Sequence, residues 1–314
     1  MEYLFEKYNT DRFKDFVTIY EAAFRKEAEF EYLKSKFDTS YTGKEVIGYI
    51  AYNKKNMDPA AYYGVFPTLG TYNGNPILFA QSGNTATHPK YQKQGLFSKL
   101  HDKTMELCHT EGIQFVFGFP NSNSYPGFIK FGWNHESNTI IGAIRPKISF
   151  FFKVRRRLSP DYAFNKRLEI KERSIDIYDI ADESLNLSLM ANYDTGVNIP
   201  RTKKYLEYKS RLGSFVIKLE NGLAWVTIKN SVLHIGDLFS NNPLQLFSNV
   251  FDLSKSLGFD SVKINASDRK FIETLKDKYP RMKLSESAPL IINNIALNSV
   301  DTKFHYTGGD FDFF

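Results

Sequence analysis

Cysteine is almost missing from this sequence: Cys108 is the only one among 314 residues. A single thiol can close no intrachain disulfide and build no thiolate metal cluster, so a packed core and a reducing setting are expected. Long apolar runs are missing too. None approaches the roughly 20 residues that span a bilayer, which leaves no stretch suited to stable membrane insertion. The opening Met1-Glu2-Tyr3-Leu4-Phe5-Glu6-Lys7 lacks the basic-then-apolar layout of a secretory leader. A cytoplasmic location is the expectation. A strong charge of either sign is also lacking. The net charge of +6 suits a polyanionic ligand, a nucleic acid or an acidic membrane surface alike, and selects none of them.

What is present is an ordinary folded composition. Hydrophobic residues make up 42% and charged residues 24%, which argues against disordered and fibrous classes, and the length allows two domains or one large one. Aromatics reach 16%, with 28 Phe and 19 Tyr, enough for aromatic-rich cores or clefts.

Apolar residues at helical spacing (Phe13, Phe16, Val17, Tyr20, Ala23, Phe24) predict one amphipathic helix over residues 11–36. Short β-type runs follow at 45–52, 61–66 and 76–87, and Pro89 ends the last. A helix over 95–109, a strand over 113–119, a short helix over 122–130 and a strand over 138–144 complete an α/β domain at residues 1–145. Residues 146–168 are basic, with Phe150, Phe151 and Phe152 in their midst. They read as an interdomain linker with a solvated basic face, or as a stretch that lies on a membrane surface or binds phosphate; the linker is the expectation. Beyond it the element order repeats. Strands at 214–219, 224–229 and 231–235, a helix at 244–257, a strand at 261–265, a helix at 269–278 and a strand at 289–298 predict a second domain of the same type over 169–314.

The most informative stretch runs from Asn84 to Leu100, where a strand stops at Pro89 and the polar loop Gln92-Lys93-Gln94-Gly95 leads straight into a helix beginning Leu96-Phe97-Ser98. Such a loop presents unpaired backbone N–H groups at the positive end of the helix dipole, an arrangement that holds a pyrophosphate. Gly95 lets the backbone approach the anion, and Lys93 and Lys99 can add charge at the rim. Ordinary structural turns share this pattern. The single glycine and the absence of Gly-Lys-Ser/Thr argue against a nucleotide P-loop.

The same stretch resembles the cofactor motif of the GNAT superfamily of N-acetyltransferases, Gln/Arg-x-x-Gly-x-Gly/Ala: Gln92 and Gly95 match, and Phe97 stands where the family has a small residue. Downstream, Asn121, Tyr125 and Gly132-Trp133 resemble the family's Asn…Tyr-x-x-x-Gly-Phe signature. The resemblance implies two GNAT-like domains, each a mixed, mostly antiparallel central sheet flanked by helices (α/β, α+β), the second degenerate. It implies acetyl-CoA as acyl donor, with the backbone of Thr85, Ala86 and Thr87 along the pantetheine, the amides of Lys93, Gln94, Gly95, Leu96, Phe97 and Ser98 on the pyrophosphate, and Asn121 nearby. The family's acid is a Tyr four residues before the Gly; Phe128 occupies that position, so Tyr125 is the candidate acid. Glu27, Glu29, Glu31 and His88 are weaker base candidates, for which a solvated face or a structural role is expected. The two-domain layout also resembles the enhanced-intracellular-survival acetyltransferases, which implies the Phe314 carboxylate as base.

The expected function is therefore acetyl transfer to a primary amine, with an amino sugar of a surface polysaccharide pathway as preferred small-molecule acceptor and no nucleic-acid partner. A Fem-type aminoacyl transferase and a non-catalytic CoA-binding scaffold are the alternatives. The intact loop at Gln92–Phe97 speaks against the first, and Phe128 favours the second.

Overall fold

In the computed structural model, which describes residues 2–189, 193, 195–296, 303–311 and 314, the first half of the chain forms β1 (Tyr3–Lys7), α1 (Phe13–Phe24), α2 (Phe30–Phe37), β2 (Ile47–Asn53), β3 (Pro59–Tyr72), β4 (Asn75–Thr87), α3 (Leu96–Thr110), β5 (Phe115–Gly118), α4 (Tyr125–Lys130) and β6 (Asn134–Ile144). The second half forms α5 (Phe150–Leu158), α6 (Pro160–Leu168), α7 (Asp182–Leu185), β7 (Val197–Asn198) and α8 (Lys203–Ser210). It continues with β8 (Ser214–Leu219), β9 (Gly222–Lys229), β10 (Val232–Phe239), α9 (Pro243–Ser256), β11 (Ser261–Asn265), α10 (Arg269–Lys278) and β12 (Lys283–Asn294).

These elements divide into two compact units, each discontinuous in sequence. One is Met1–Gly70, Asn75–Ser137 and Ala288–Thr302; the other is Thr71–Gly74, Asn138–Ser287 and Lys303–Phe314. The division differs from the expected continuous domains 1–145 and 169–314. Ile291–Asn294 of β12 pair antiparallel with Gly118–Phe115 of β5 in the first unit, whereas Ile141–Ile144 of β6 pair with Asn265–Val262 of β11 in the second. Each half of the sequence thus supplies the closing strand of the other's sheet. An apolar alternation shows that a segment is a strand but not which sheet edge it completes. Residues 297 and 298, expected in the last strand, lie outside the described residues.

The expected linker at 146–168 is also different: it is α5 and α6, within the second unit. Ser149 and Ser159 accept from the amides of Phe152 and Tyr162, and Pro160 opens α6. These are strong helix-start signals that the charge of the segment obscures.

The first unit's sheet runs β1-β2-β3-β4-β5-β12. The helix expected over 11–36 is two helices, because the chain turns left-handed at Arg25 (φ 54°) and resumes at Phe30. Phe13, Phe16 and Ile19 of α1 are buried with Leu33 and Phe37 of α2 against Ile50 and Tyr62. On a second cluster α3 buries Leu96, Leu100, Leu107 and Cys108 against Val65, Ala80 and Val116. Burial pushes the Cys108 thiol up to about 12, so this side chain packs rather than reacts.

The second unit's sheet runs β8-β9-β10-β11-β6. The β9–β10 hairpin turns on Asn230 and Ser231, both left-handed (φ 47° and 70°), as a tight hairpin demands. Both units place three successive strands, a helix and a parallel strand in the same order: β2-β3-β4-α3-β5 and β8-β9-β10-α9-β11, with the parallel pair at β4/β5 and at β10/β11. The chain end is fixed in the second unit. Arg201, 5% exposed, donates from Nε to Asp237 (2.7 Å), from Nη1 to Asp310 (2.6 Å) and the Ile199 carbonyl (2.9 Å), and from Nη2 to Asp310 (2.8 Å) and Thr307 (2.7 Å). Burial alone would lower its pKa, but the two carboxylates outweigh that and hold the guanidinium charged.

Candidate functional site

The site is built where β4 and β5 part. Their parallel register covers Ala80↔Val116 and Gln81↔Phe117. Beyond it β5 ends at Gly118, which still lies beside Ser82, while β4 continues to Thr87 past the end of its neighbour. Asn84 marks the departure with a left-handed φ of 57°, a conformation that Asn tolerates and most residues resist. Its Oδ1 accepts from Nζ of Lys36, a 5%-exposed lysine on α2, at 2.6 Å. Ser82 meets Tyr63 Oη at 3.2 Å across the same region. Thr85, Ala86 and Thr87 line the free stretch, and Thr85 Oγ1 is buried without a hydrogen-bond partner. An orphaned hydroxyl beside an open strand edge has the donor and acceptor capacity to meet an amide-bearing ligand.

Two anchors fix the loop that follows. Tyr91 is 6% exposed with its Oη on Asp58 at 2.9 Å, and Leu96 is 2% exposed in the core. Between them Gln92, Lys93 and Gly95 are exposed, and Tyr3 of β1 donates to Gln94 Oε1 at 2.6 Å. Lys93 (φ 60°) and Gly95 (φ 71°) are both left-handed, which turns the backbone into a concavity. No side chain caps α3, and no acidic residue stands in its first turn. The amides of Leu96, Phe97 and Ser98 therefore keep the partial positive charge of a helix start. A Cβ on Gly95 would meet no protein atom within 4 Å, so the glycine answers to its φ and to the open space in front of it. The equivalent start in the second unit is closed. There Pro243 opens α9 and Asn242 accepts from the amide of Gln245.

Phe97, the departure from the family pattern, turns its ring inward onto Tyr63 (5.8 Å between centroids), Phe128 (5.3 Å) and Phe131 (5.1 Å). Gly127 makes the room: a Cβ there would lie 2.9 Å from the Phe97 ring. Asn121 Oδ1 accepts from the amides of Asn123 (3.0 Å) and Ser124 (3.1 Å), shaping the turn into α4. Tyr125 opens that helix, half-buried, and its Oη lies 3.1 Å from His135 Nδ1 on β6. Phe128 is 5% exposed and belongs to the core.

Sequence reasoning did not single out His135, Lys36 or Asn84 as site residues. His135 becomes relevant only when β6 returns beside α4, and Lys36 only when α2 packs near β4, so no local signal marks either. The Gly83-Asn84 pair within a strand was the one available cue for Asn84. Glu27, Glu29 and Glu31 are exposed around the α1–α2 break. His88 accepts from the amide of Lys90 at 3.2 Å and caps the turn at Pro89–Tyr91. Phe314 lies in the second unit, 1% exposed, its ring 4.9 Å from that of Trp225. Asp312 and Phe313 lie outside the described residues.

The profile of the acetyltransferase (GNAT) domain family matches residues 5–135. No curated protein matches the sequence. Among solved structures, a probable N-acyltransferase from Enterococcus faecalis shares the fold at a TM-score of 0.62 and 13% identity, over 95% of this chain and 74% of that one. Saccharomyces cerevisiae N-myristoyltransferase with bound myristoyl-CoA aligns at 0.54 and 10% identity, over 92% and 82%. The glucosamine N-acetyltransferase region of a fungal multi-domain β-N-acetylglucosaminidase aligns at 0.53 and 11% identity, over 93% and 38%. Residues 5–135 thus carry an acetyltransferase (GNAT) domain.

Proposed function

We propose that this protein transfers an acetyl group from acetyl-CoA to a primary amine by direct attack, and that the amine belongs to an amino sugar of a surface polysaccharide pathway. The observation that carries the reading is the parting of β4 from β5 beside an uncapped helix start with two left-handed loop residues. In this reading the amides from Lys93 to Ser98 hold the pyrophosphate of the donor, with Lys93 and Lys99 at the rim. The edge of β4 from Asn84 to Thr87 pairs with the pantetheine as an added strand does, and Thr85 Oγ1 gains its missing partner. The donor supplies an activated thioester. A backbone amide on the free part of β4 stabilises the negative charge that gathers on the carbonyl oxygen during attack. As the C–S bond breaks, Tyr125, steadied by His135, gives its phenolic proton to the departing sulfur, and the proton that the amine nitrogen sheds on becoming an amide restores the phenol through water.

A glucosamine N-acetyltransferase region among the structural neighbours supports the amino-sugar acceptor, and a myristoyl-CoA complex among them keeps longer acyl donors in the test panel. Saturating acetyl-CoA should raise the melting temperature of the wild type by mass action. Gly95→Glu, which sets a carboxylate in the cradle, should abolish that shift. Equal shifts in the two proteins would refute the site. Thiol release on adding glucosamine-type amines then separates an enzyme from a scaffold that binds the thioester without turning it over.

A further inference from the structure

The helix α5 carries an apolar stripe that nothing in its unit covers. Phe150, Phe151, Val154 and Leu158 are 75%, 82%, 38% and 81% exposed. At 100° per residue these four positions fall within an arc of about 100°. The opposite side faces the body of the unit. Phe152 is 8% exposed with its ring on Gly258, where a Cβ would come within 2.0 Å of it, and Arg156 pairs with Asp260. The helix is therefore held by its back, and the stripe points away. Both borders of the stripe are cationic. Lys153 and Arg157 flank one side, and Arg155, its guanidinium 4.9 Å from the Tyr162 ring centroid, flanks the other; all three are exposed. The segment 145–168 has eight Lys or Arg against one acidic residue, Asp161. In α6, Phe164 is 57% exposed and lines a recess of about 300 Å³ with Arg167 and Lys171, and Arg167 Nη1 is buried without a hydrogen-bond partner.

We propose that α5 and α6 dock this protein on the surface of an anionic phospholipid bilayer, with the aromatic stripe among the acyl chains and its cationic borders among the headgroups. The chemistry matches on both counts. Rings on one stripe with lysine and arginine on both sides satisfy an interface that is apolar below and negative above. A protein partner would have to provide an apolar groove with two acidic walls. At nine residues α5 is far too short to cross a membrane, and no described helix is long and apolar enough to do so, so it lies in the plane of the interface.

Co-sedimentation of the full chain with phosphatidylcholine vesicles, with and without phosphatidylglycerol, tests this. Binding is expected only to the anionic vesicles and should weaken with salt. Phe151→Ser/Leu158→Ser should lower the partition coefficient by about a hundredfold, given roughly tenfold or more for each large apolar side chain withdrawn from hydrocarbon. Lys153→Gln/Arg155→Gln/Arg157→Gln should lower it by about a hundredfold as well. Because these side chains are exposed, both variants should keep the wild-type melting temperature and its shift with acetyl-CoA, so this test stands apart from that of the acyl-transfer site. The proposal is overturned if the wild type stays in the supernatant with anionic vesicles at low salt, or if either variant pellets undiminished. It is also overturned if sedimentation velocity shows a dimer that Phe151→Ser/Leu158→Ser dissociates, since a second copy then covers the stripe.

Discussion

At the scale of single residues, the candidate site is marked by groups that differ from their surroundings by one property each. Gly95 is set apart by its φ, Thr85 by a hydroxyl with no partner, and Tyr125 by a phenol within 3.1 Å of an imidazole nitrogen. Phe128, in the position where the family resemblance implies a tyrosine acid, is buried, which leaves Tyr125 as the candidate proton donor. If it is the proton donor, Tyr125→Phe should reduce kcat by about a hundredfold or more while KM for acetyl-CoA changes little, as read by thiol release. An unchanged kcat would leave the thiolate to depart without help. The motif residues themselves were legible in the sequence, because a polar loop with one glycine before a helix is a local feature. His135 was not, since its partner is ten residues away across a turn whose path only packing defines.

At the scale of elements, α3 and α4 are fitted to one another through Phe97 and Gly127. A large ring in a position the family keeps small needs a neighbour without a Cβ, since one added at Gly127 would lie 2.9 Å from the ring. Gly127→Ala should destabilise the protein by about 1–3 kcal/mol through overpacking. Phe97→Leu in the same chain should recover part of that loss, and a double-mutant cycle by chemical denaturation reads the coupling directly. Additive effects would mean that the ring and the glycine do not oppose each other. The same scale explains why only one of two topologically similar helix starts is a candidate anion site. Asn242 and Pro243 satisfy or remove the very donors that α3 leaves open.

At the scale of the whole molecule, histidines shielded from water contribute to the response to acid. His101 accepts from the Trp133 indole at 2.9 Å through Nε2 and faces Asp102 through Nδ1, so it is held neutral. Burial lowers its pKa, as it does for His305, and takes His234 down to about 4 with help from Lys263 and Lys229. A lowered folded value means that the unfolded chain binds more protons below pH 6.5. Stability is then full above about 6.5 and drains as pH falls toward 4, by roughly 2–3 kcal/mol for His234 alone. Urea midpoints across that range measure it; His234→Gln should flatten the slope. The chain end is a second global tie. Phe314 occupies space beside Trp225 so tightly that a Cβ on Gly236 would come within 2.4 Å of its ring. Phe314→Ala should cost about 3–5 kcal/mol by denaturation. Removing the last residues would unsettle the second unit for the same reason, so loss of turnover on truncation would not by itself identify a base.

Local chemistry determined a great deal from the sequence alone: the β4–loop–α3 junction, the approximate extent of most strands and helices, and the repeated element order, because periodicity and capping act within a few residues. Tertiary structure decided which sheet each closing strand joins, that the basic segment is helical with its rings turned outward, and that His135 stands beside Tyr125. These outcomes rest on contacts between residues far apart in the chain, whose energies come from mutual burial and pairing and leave no mark on either segment by itself.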